Sequence, residues 1–232
     1  MSPNTSHANK TKVLLSWSGG KDCAWALHLL RKQDDIEIAG IFTIIDAATN
    51  RVSMHRFGEE LLEAQAAAMG LPLTKLFIPD PCPNDEYEKV MGGFVKRTKA
   101  REISAIAFGD LFLEDIRNYR EEKLAGTGIE AIFPLWSLDT TQLAREMVDC
   151  GLRAYITSVD TKQLDASFVG RIYDPKFLDD LPAGVDPCGE HGEFHSFVYD
   201  GPMFVKPVDV RTGEITRNNE FVYADIVKVE DC

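Results

Sequence analysis

From Lys12 to about Phe133 the chain alternates short apolar runs with longer amphipathic stretches, and this alternation constrains the fold more than any other feature. Val13 to Trp17 reads as a buried strand, and Asp22 to Gln33 as a helix with Ala24, Leu27 and Leu30 on one face. Ile36 to Ile45 is a second β-rich run. Gly58 to Met69 is a helix stopped by Gly70 and Pro72, and Leu73 to Ile78 a third strand. Asp85 to Ala100 reads as a helix, Ile103 to Phe108 as an apolar strand, Leu113 to Ala125 as a helix and Ala131 to Phe133 as a short strand. Strands separated by helices require crossover connections. The expected fold class is therefore α/β, a parallel five-stranded-type sheet with helices on both faces. Ligands of such sheets gather beyond the C-terminal ends of the strands.

After Pro134 the pattern changes. A helix (Thr140 to Cys150) and a strand (Ala154 to Val159) lead into a Gly/Pro/Asp-rich stretch around Pro182 to Gly192. Three β-rich runs follow: Phe194 to Tyr199, Met203 to Val210 and Glu220 to Val229. The expected division is a flexible tail over 1–11, a nucleotide-binding domain over 12–135 and a smaller α+β substrate domain over 136–232.

Charge narrows the partners. The 232 residues carry a net charge of −12, and the part from Trp136 onward holds 9 basic against 18 acidic residues. Such a chain repels a nucleic-acid backbone, so no nucleic-acid partner is expected and an anionic ligand must be caught locally. The five cysteines are scattered and never paired as CxxC, which points to a reducing, cytoplasmic setting. No run is long enough to span a bilayer, so no membrane partner is expected.

The sharpest local feature is Ser16-Trp17-Ser18-Gly19-Gly20-Lys21-Asp22, where the first strand gives way to the first helix. Two glycines let the backbone turn tightly and approach a ligand, and the amides that follow open a helix N-terminus favourable to an anion. Ser18 adds a hydroxyl and Lys21 a mobile charge. The spacing is neither that of a Walker loop nor that of a dinucleotide fingerprint. The bland alternative is a glycine turn beside a solvated lysine.

This stretch resembles the PP-loop of the N-type ATP pyrophosphatases, which split ATP between its α and β phosphates. Gly109-Asp110, followed by Arg117, Arg120 and Glu121, resembles the second signature of the diphthine–ammonia ligase family. Cys188 to Phe194, followed by Asp200-Gly201-Pro202-Met203-Phe204, resembles its third, and Pro134-Leu135-Trp136 also matches. There are departures. Cys23 stands where the loop usually ends in Ser, His191 replaces a Gly, and His195-Ser196 replaces a Glu-Thr pair. The last change alters charge beside the acceptor site and is closer to a branch of the family linked to cobalamin metabolism.

The resemblance implies an ATP-dependent ligase. It would adenylate a carboxylate, release pyrophosphate and let ammonia displace AMP, with Mg²⁺ as cofactor. The acceptor would be protein-bound diphthine or a small-molecule carboxylate. The oligomeric state stays open, a homo-oligomer included. ATP would be held by Ser16, Ser18, Gly19, Gly20, Lys21, Asp46, His55, Gly109, Asp110, Arg117 and Arg120, with Lys21, Asp22, Glu190 and Glu193 catalytic.

Several of these residues have a second reading. Asp22 either holds Mg²⁺ or caps the helix. Arg117 and Arg120 either meet phosphate or form ion pairs on a solvated helix face. Gly109-Asp110, Asp46 and His55 either reach the nucleotide or make turns. Glu190 and Glu193 either bind Mg²⁺ and deprotonate ammonia or are surface carboxylates. A zinc site of Cys188, His191 and His195 is a rival. Two other functions stay in view, a nucleotide-binding sensor and a tRNA-modifying enzyme, the latter disfavoured by the acidic surface.

Overall fold

The computed structural model describes residues 10–49, 51–52, 57–79 and 82–229, apart from the side chain of Asn84. Five strands build a parallel sheet: β1 (Thr11–Ser16), β2 (Ile36–Asp46), β4 (Leu73–Ile78), β5 (Ala105–Ala107) and β6 (Glu130–Ile132). They lie in the order β4-β2-β1-β5-β6. A two-residue strand, β3 (Arg51–Val52), pairs antiparallel with the last residues of β2. Helices α1 (Lys21–Arg31), α2 (Glu59–Met69), α3 (Asn84–Ala100) and α4 (Glu114–Leu124) make the crossovers. The winding runs one way from β1 through β2 to β4 and the other way from β5 to β6. It reverses between β1 and β5, and the loops leaving those two strands diverge to open a crevice there.

The second sheet is antiparallel, in the order β8 (Phe194–Asp200), β7 (Arg153–Asp160), β10 (Phe221–Lys228), β9 (Val210–Asn218). Helix α5 (Thr140–Asp149) precedes it. Its N-terminus is capped by Asp139, whose carboxylate accepts from the Gln142 amide at 2.8 Å. A short helix, α6 (Pro175–Asp180), is capped in the same way by Asp174.

One hydrophobic cluster runs through both sheets. Trp17, Trp25, Leu27, Leu61 and Leu62 from the first half are continuous with Ile156, Phe177, Phe194 and Phe197 from the second. A separate cluster on the other face of the parallel sheet joins Leu14, Phe42 and Ile106 to Phe94 of α3 and Leu124 of α4.

The strand expected over Met203 to Val210 is not formed. Met203 is instead buried as a core plug, and the edge strand begins at Val210. Pro207 lacks the amide a ladder needs and keeps the preceding stretch out of the sheet. The real strand, β9, has a mostly exposed, polar sequence that carries no apolar alternation. It is fixed by a hairpin to β10 through Asn219, which sits in the left-handed region at φ 53°. Among the described residues no helix is long and apolar enough to cross a membrane.

Candidate functional site

The crevice is a cleft of about 400 Å³ lined by Ser16, Ser18, Gly20, Lys21 and Asp22 on one side, Gly109, Asp110 and Arg120 on a second, and Cys188, Gly189, Glu190, His195 and Ser196 on a third. Each wall has a local cause. The β1–α1 turn is possible because Gly19 adopts φ +82°, and a Cβ there would lie 2.3 Å from the Phe57 ring. Helix α1 begins after Gly20, which offers no side-chain cap; the Lys21 amide is taken by Ser196 Oγ, and the helix N-terminus still favours an anion. Gly109 closes the second wall by contact. A Cβ on it would meet the Cys23 amide nitrogen at 2.9 Å, so only glycine lets the end of β5 lie against the start of α1.

The turn is braced from behind by a residue the sequence did not single out. Gln65 of α2 is fully buried. Its amide accepts from Trp17 Nε1 at 2.8 Å and donates to the carbonyls of Gly19 (3.0 Å) and Val198 (2.6 Å). Strand β8 adds two more ties: the Val198 amide donates to the Gly19 carbonyl at 2.9 Å, and the Lys21 amide to Ser196 Oγ at 3.2 Å. The turn is thereby fixed to both halves of the chain.

Lys21 is 2% exposed. Its Nζ donates to both Asp22 oxygens, at 3.0 and 2.9 Å, and to the Cys188 carbonyl. Burial presses its pKa down, but Asp22 together with Cys188 and Glu190 outweighs it and holds the ammonium charged. Asp22 is pushed up by burial, against the pull of Lys21.

Glu190 behaves differently. Burial, reinforced by repulsion from Asp22, raises it to about 7, so it exchanges a proton near neutrality. Glu193, three residues on, is 2% exposed and faces away from the cleft. Its two oxygens accept from the amides of Asp186 and His191, each at 2.9 Å, and so hold the loop that presents Glu190. Asp186 helps, accepting from the Cys188 amide at 2.8 Å and from Thr140 Oγ1 at 2.7 Å.

The remaining expected residues separate. Arg120 lines the cleft, makes a two-pronged pair with Asp110 (2.6 and 3.2 Å) and lies 4.3 Å over the Phe108 ring. Arg117 points elsewhere, paired with Glu121 at 2.7 Å and lying over Trp136 and Phe133. Asp46 organises the turn after β2, accepting from the Ala48 amide and the Thr49 hydroxyl, and does not line the cleft. His55 lies outside the described residues.

Cys188 donates to the Thr140 carbonyl and His191 packs on Phe112. Among the described residues no three metal-capable side chains converge. Burial and Lys21 hold His195 down at about 4, so it is neutral at physiological pH.

A parallel sheet in this order, with a glycine-turned anion loop at its reversal point and a titratable carboxylate across the cleft, is the architecture of a PP-loop ATP-dependent ligase. The comparisons agree. Residues 10–130 match the model described as the diphthamide synthase N-terminal domain, and residues 139–231 match that of the diphthamide synthase C-terminal domain. The chain belongs to the diphthamide synthase family. It is similar to the diphthine–ammonia ligase of Homo sapiens, with 26% identity over 185 residues covering 73% of this chain and 69% of that protein. The diphthine–ammonia ligase of Danio rerio is 25% identical over 238 residues, 90% of each chain. That of Schizosaccharomyces pombe is 25% identical over 242 residues, 95% of this chain but 39% of the longer protein.

Proposed function

We propose that the chain amidates the carboxylate of protein-bound diphthine with ammonia, driven by cleavage of ATP to AMP and pyrophosphate. The observation that carries this reading is the glycine turn at the start of α1 with Lys21 buried beside it, facing Glu190 across one cleft. The relatives' shared activity supports diphthine over a small-molecule carboxylate. Turnover, rather than sensing, is favoured by the relatives, which are ligases.

In this reading the α1 amides, Ser18 and Lys21 receive the phosphates that depart. The acceptor carboxylate attacks the α-phosphorus, the bond to pyrophosphate breaks and an acyl-adenylate results. Ammonia then adds to the acyl carbon and AMP leaves. Glu190, ionised, takes the proton that the nitrogen loses. Arg120 and Asp110 form the wall against which the nucleotide is oriented, and positioning with charge neutralisation supplies most of the rate.

Mg²⁺ would be held by Asp22, the carboxylate that the cleft wall presents beside Lys21. It would neutralise phosphate charge. The free cysteines among the described residues suit a reducing, cytoplasmic setting.

The test is Lys21→Met, which keeps the packing and removes the charge. Supplied with ATP, ammonium and a diphthine-bearing protein, the variant should form no AMP or amide while its circular dichroism matches the parent. Full turnover by the variant would refute the reading.

A further inference from the structure

Helix α4 carries more apolar surface than the core uses. Of its eleven residues only Leu124 is buried. Ile116 and Tyr119 stay 39% and 43% exposed, and Leu113 at the N-cap 36%. Spaced three apart, these side chains form one stripe along the helix. Leu113 and Ile116 also line the cleft, so the stripe begins at its mouth. Across the mouth the exposed His191 packs on Phe112, with ring centres 5.3 Å apart, and carries the rim over to the loop that presents Glu190. Scattered apolar residues need no account, but a stripe running out of a cleft marks a contact surface.

The charge beside the stripe is one-sided. Every cation of α4 is committed to a pair: Arg117 with Glu121, Arg120 with Asp110 and Lys123 with Glu88. Asp115 and Glu122, two turns apart along the solvent edge of the stripe, are exposed and have no ion pair among the described residues.

We infer that this stripe docks the protein that carries diphthine, through a basic surface with an apolar centre. The inference rests on the proposed amidation of protein-bound diphthine. A carboxylate on the side chain of a folded protein reaches Glu190 only when that protein seats against the cleft mouth, and the exposed apolar residues of the cleft lining are Leu113 and Ile116. An apolar centre with a charged rim is the usual anatomy of an interface. A second copy of this chain fits poorly, because in a two-fold contact the acids of one stripe would face those of the other. The same acids repel nucleic acid and anionic lipid.

The test uses Ile116→Ser in the stripe and the double change Asp115→Lys with Glu122→Lys at its edge. Amidation of the diphthine-bearing protein is followed at steady state, with ATP binding measured by calorimetry. Each variant should raise KM for the protein acceptor at least about tenfold. The charge-reversed variant should keep its ATP affinity within about twofold of the parent, well under that step. Added salt should raise the parent's KM, and the charge-reversed variant should lose that rise. KM values that match the parent in both variants overturn the docking surface and leave the amidation reading standing. A parallel loss of ATP affinity in the charge-reversed variant also overturns it, since the effect then falls on the cleft. So does a parent dimer in sedimentation that Ile116→Ser dissociates, because a second copy then covers the stripe. A parent that amidates no diphthine-bearing protein overturns the proposed function and this inference with it.

Discussion

The two walls of the cleft handle charge in opposite ways. On the β1–α1 wall Lys21 is kept charged by its pairing with Asp22, and the turn beneath is tied down by Gln65, Ser196 and Val198. On the facing wall Glu190 is half-desolvated beside other acids and held near its titration point, while its loop is fixed by Glu193 and Asp186. A binding wall needs a permanent charge in a fixed place. A proton-transfer wall needs a group whose charge is easily changed. The 190s segment divides its two acids, giving one glutamate to the cleft and one to the scaffold.

Several substitutions would break or sharpen that contrast. The largest effect belongs to Lys21→Met, with turnover down by about 10³-fold or more as the phosphate charge goes unmatched. Next is Glu190→Gln, which should lower kcat by about 10²-fold and flatten the limb of the rate profile that rises through pH 7 in the parent. Its stability signature has a definite sign. The folded value of about 7 lies above the ordinary 4.5, so the native state is favoured while Glu190 is protonated. That contribution is lost as pH rises from about 4.5 through 7. The melting temperature of Glu190→Gln should therefore exceed the parent's at pH 8 and match it at pH 4.

Smaller effects follow for the residues that hold the walls. Glu193→Gln sets an amide donor against a backbone donor and should cost about 1–3 kcal/mol of stability in urea unfolding. The pH limb at 7 should survive in its residual activity. Gln65→Leu leaves the buried Trp17 indole without its acceptor and removes one donor each from the Gly19 and Val198 carbonyls, again a cost of about 1–3 kcal/mol. It should raise KM for ATP more than it lowers kcat, because it loosens the phosphate wall alone. The smallest effect is expected for Arg117→Ala, within about 0.5 kcal/mol of the parent in stability and with unchanged ATP affinity. A strong loss of ATP affinity there would erase the distinction drawn between the two arginines of α4.

These contrasts explain what could be read in advance. The β1-turn-α1 unit was legible because strand periodicity, paired glycines and the helix start are all local. So was the α/β class, since crossovers follow from the order of elements alone. Gln65 was hidden. It lies in an alanine-rich amphipathic helix, where a lone polar residue reads as surface, and two of its partners are backbone carbonyls 46 and 133 residues away. Glu190 and Glu193 were indistinguishable for the same reason, because only the folded loop decides which of them meets the Asp186 and His191 amides. Arg117 and Arg120 sit three positions apart, and the rings of Trp136 and Phe108 sort them to different sides. Strand β9 escaped because an exposed edge strand has no buried face to impose alternation.

The bond from the Lys21 amide to Ser196 spans 175 positions of chain. During synthesis the ribosome therefore delivers the glycine turn long before the hydroxyl that completes it. Nascent protein halted ahead of β8 holds every nucleotide-facing glycine yet has an unfinished cradle. Capture on immobilised ATP would thus report that translation has run past the eighth strand.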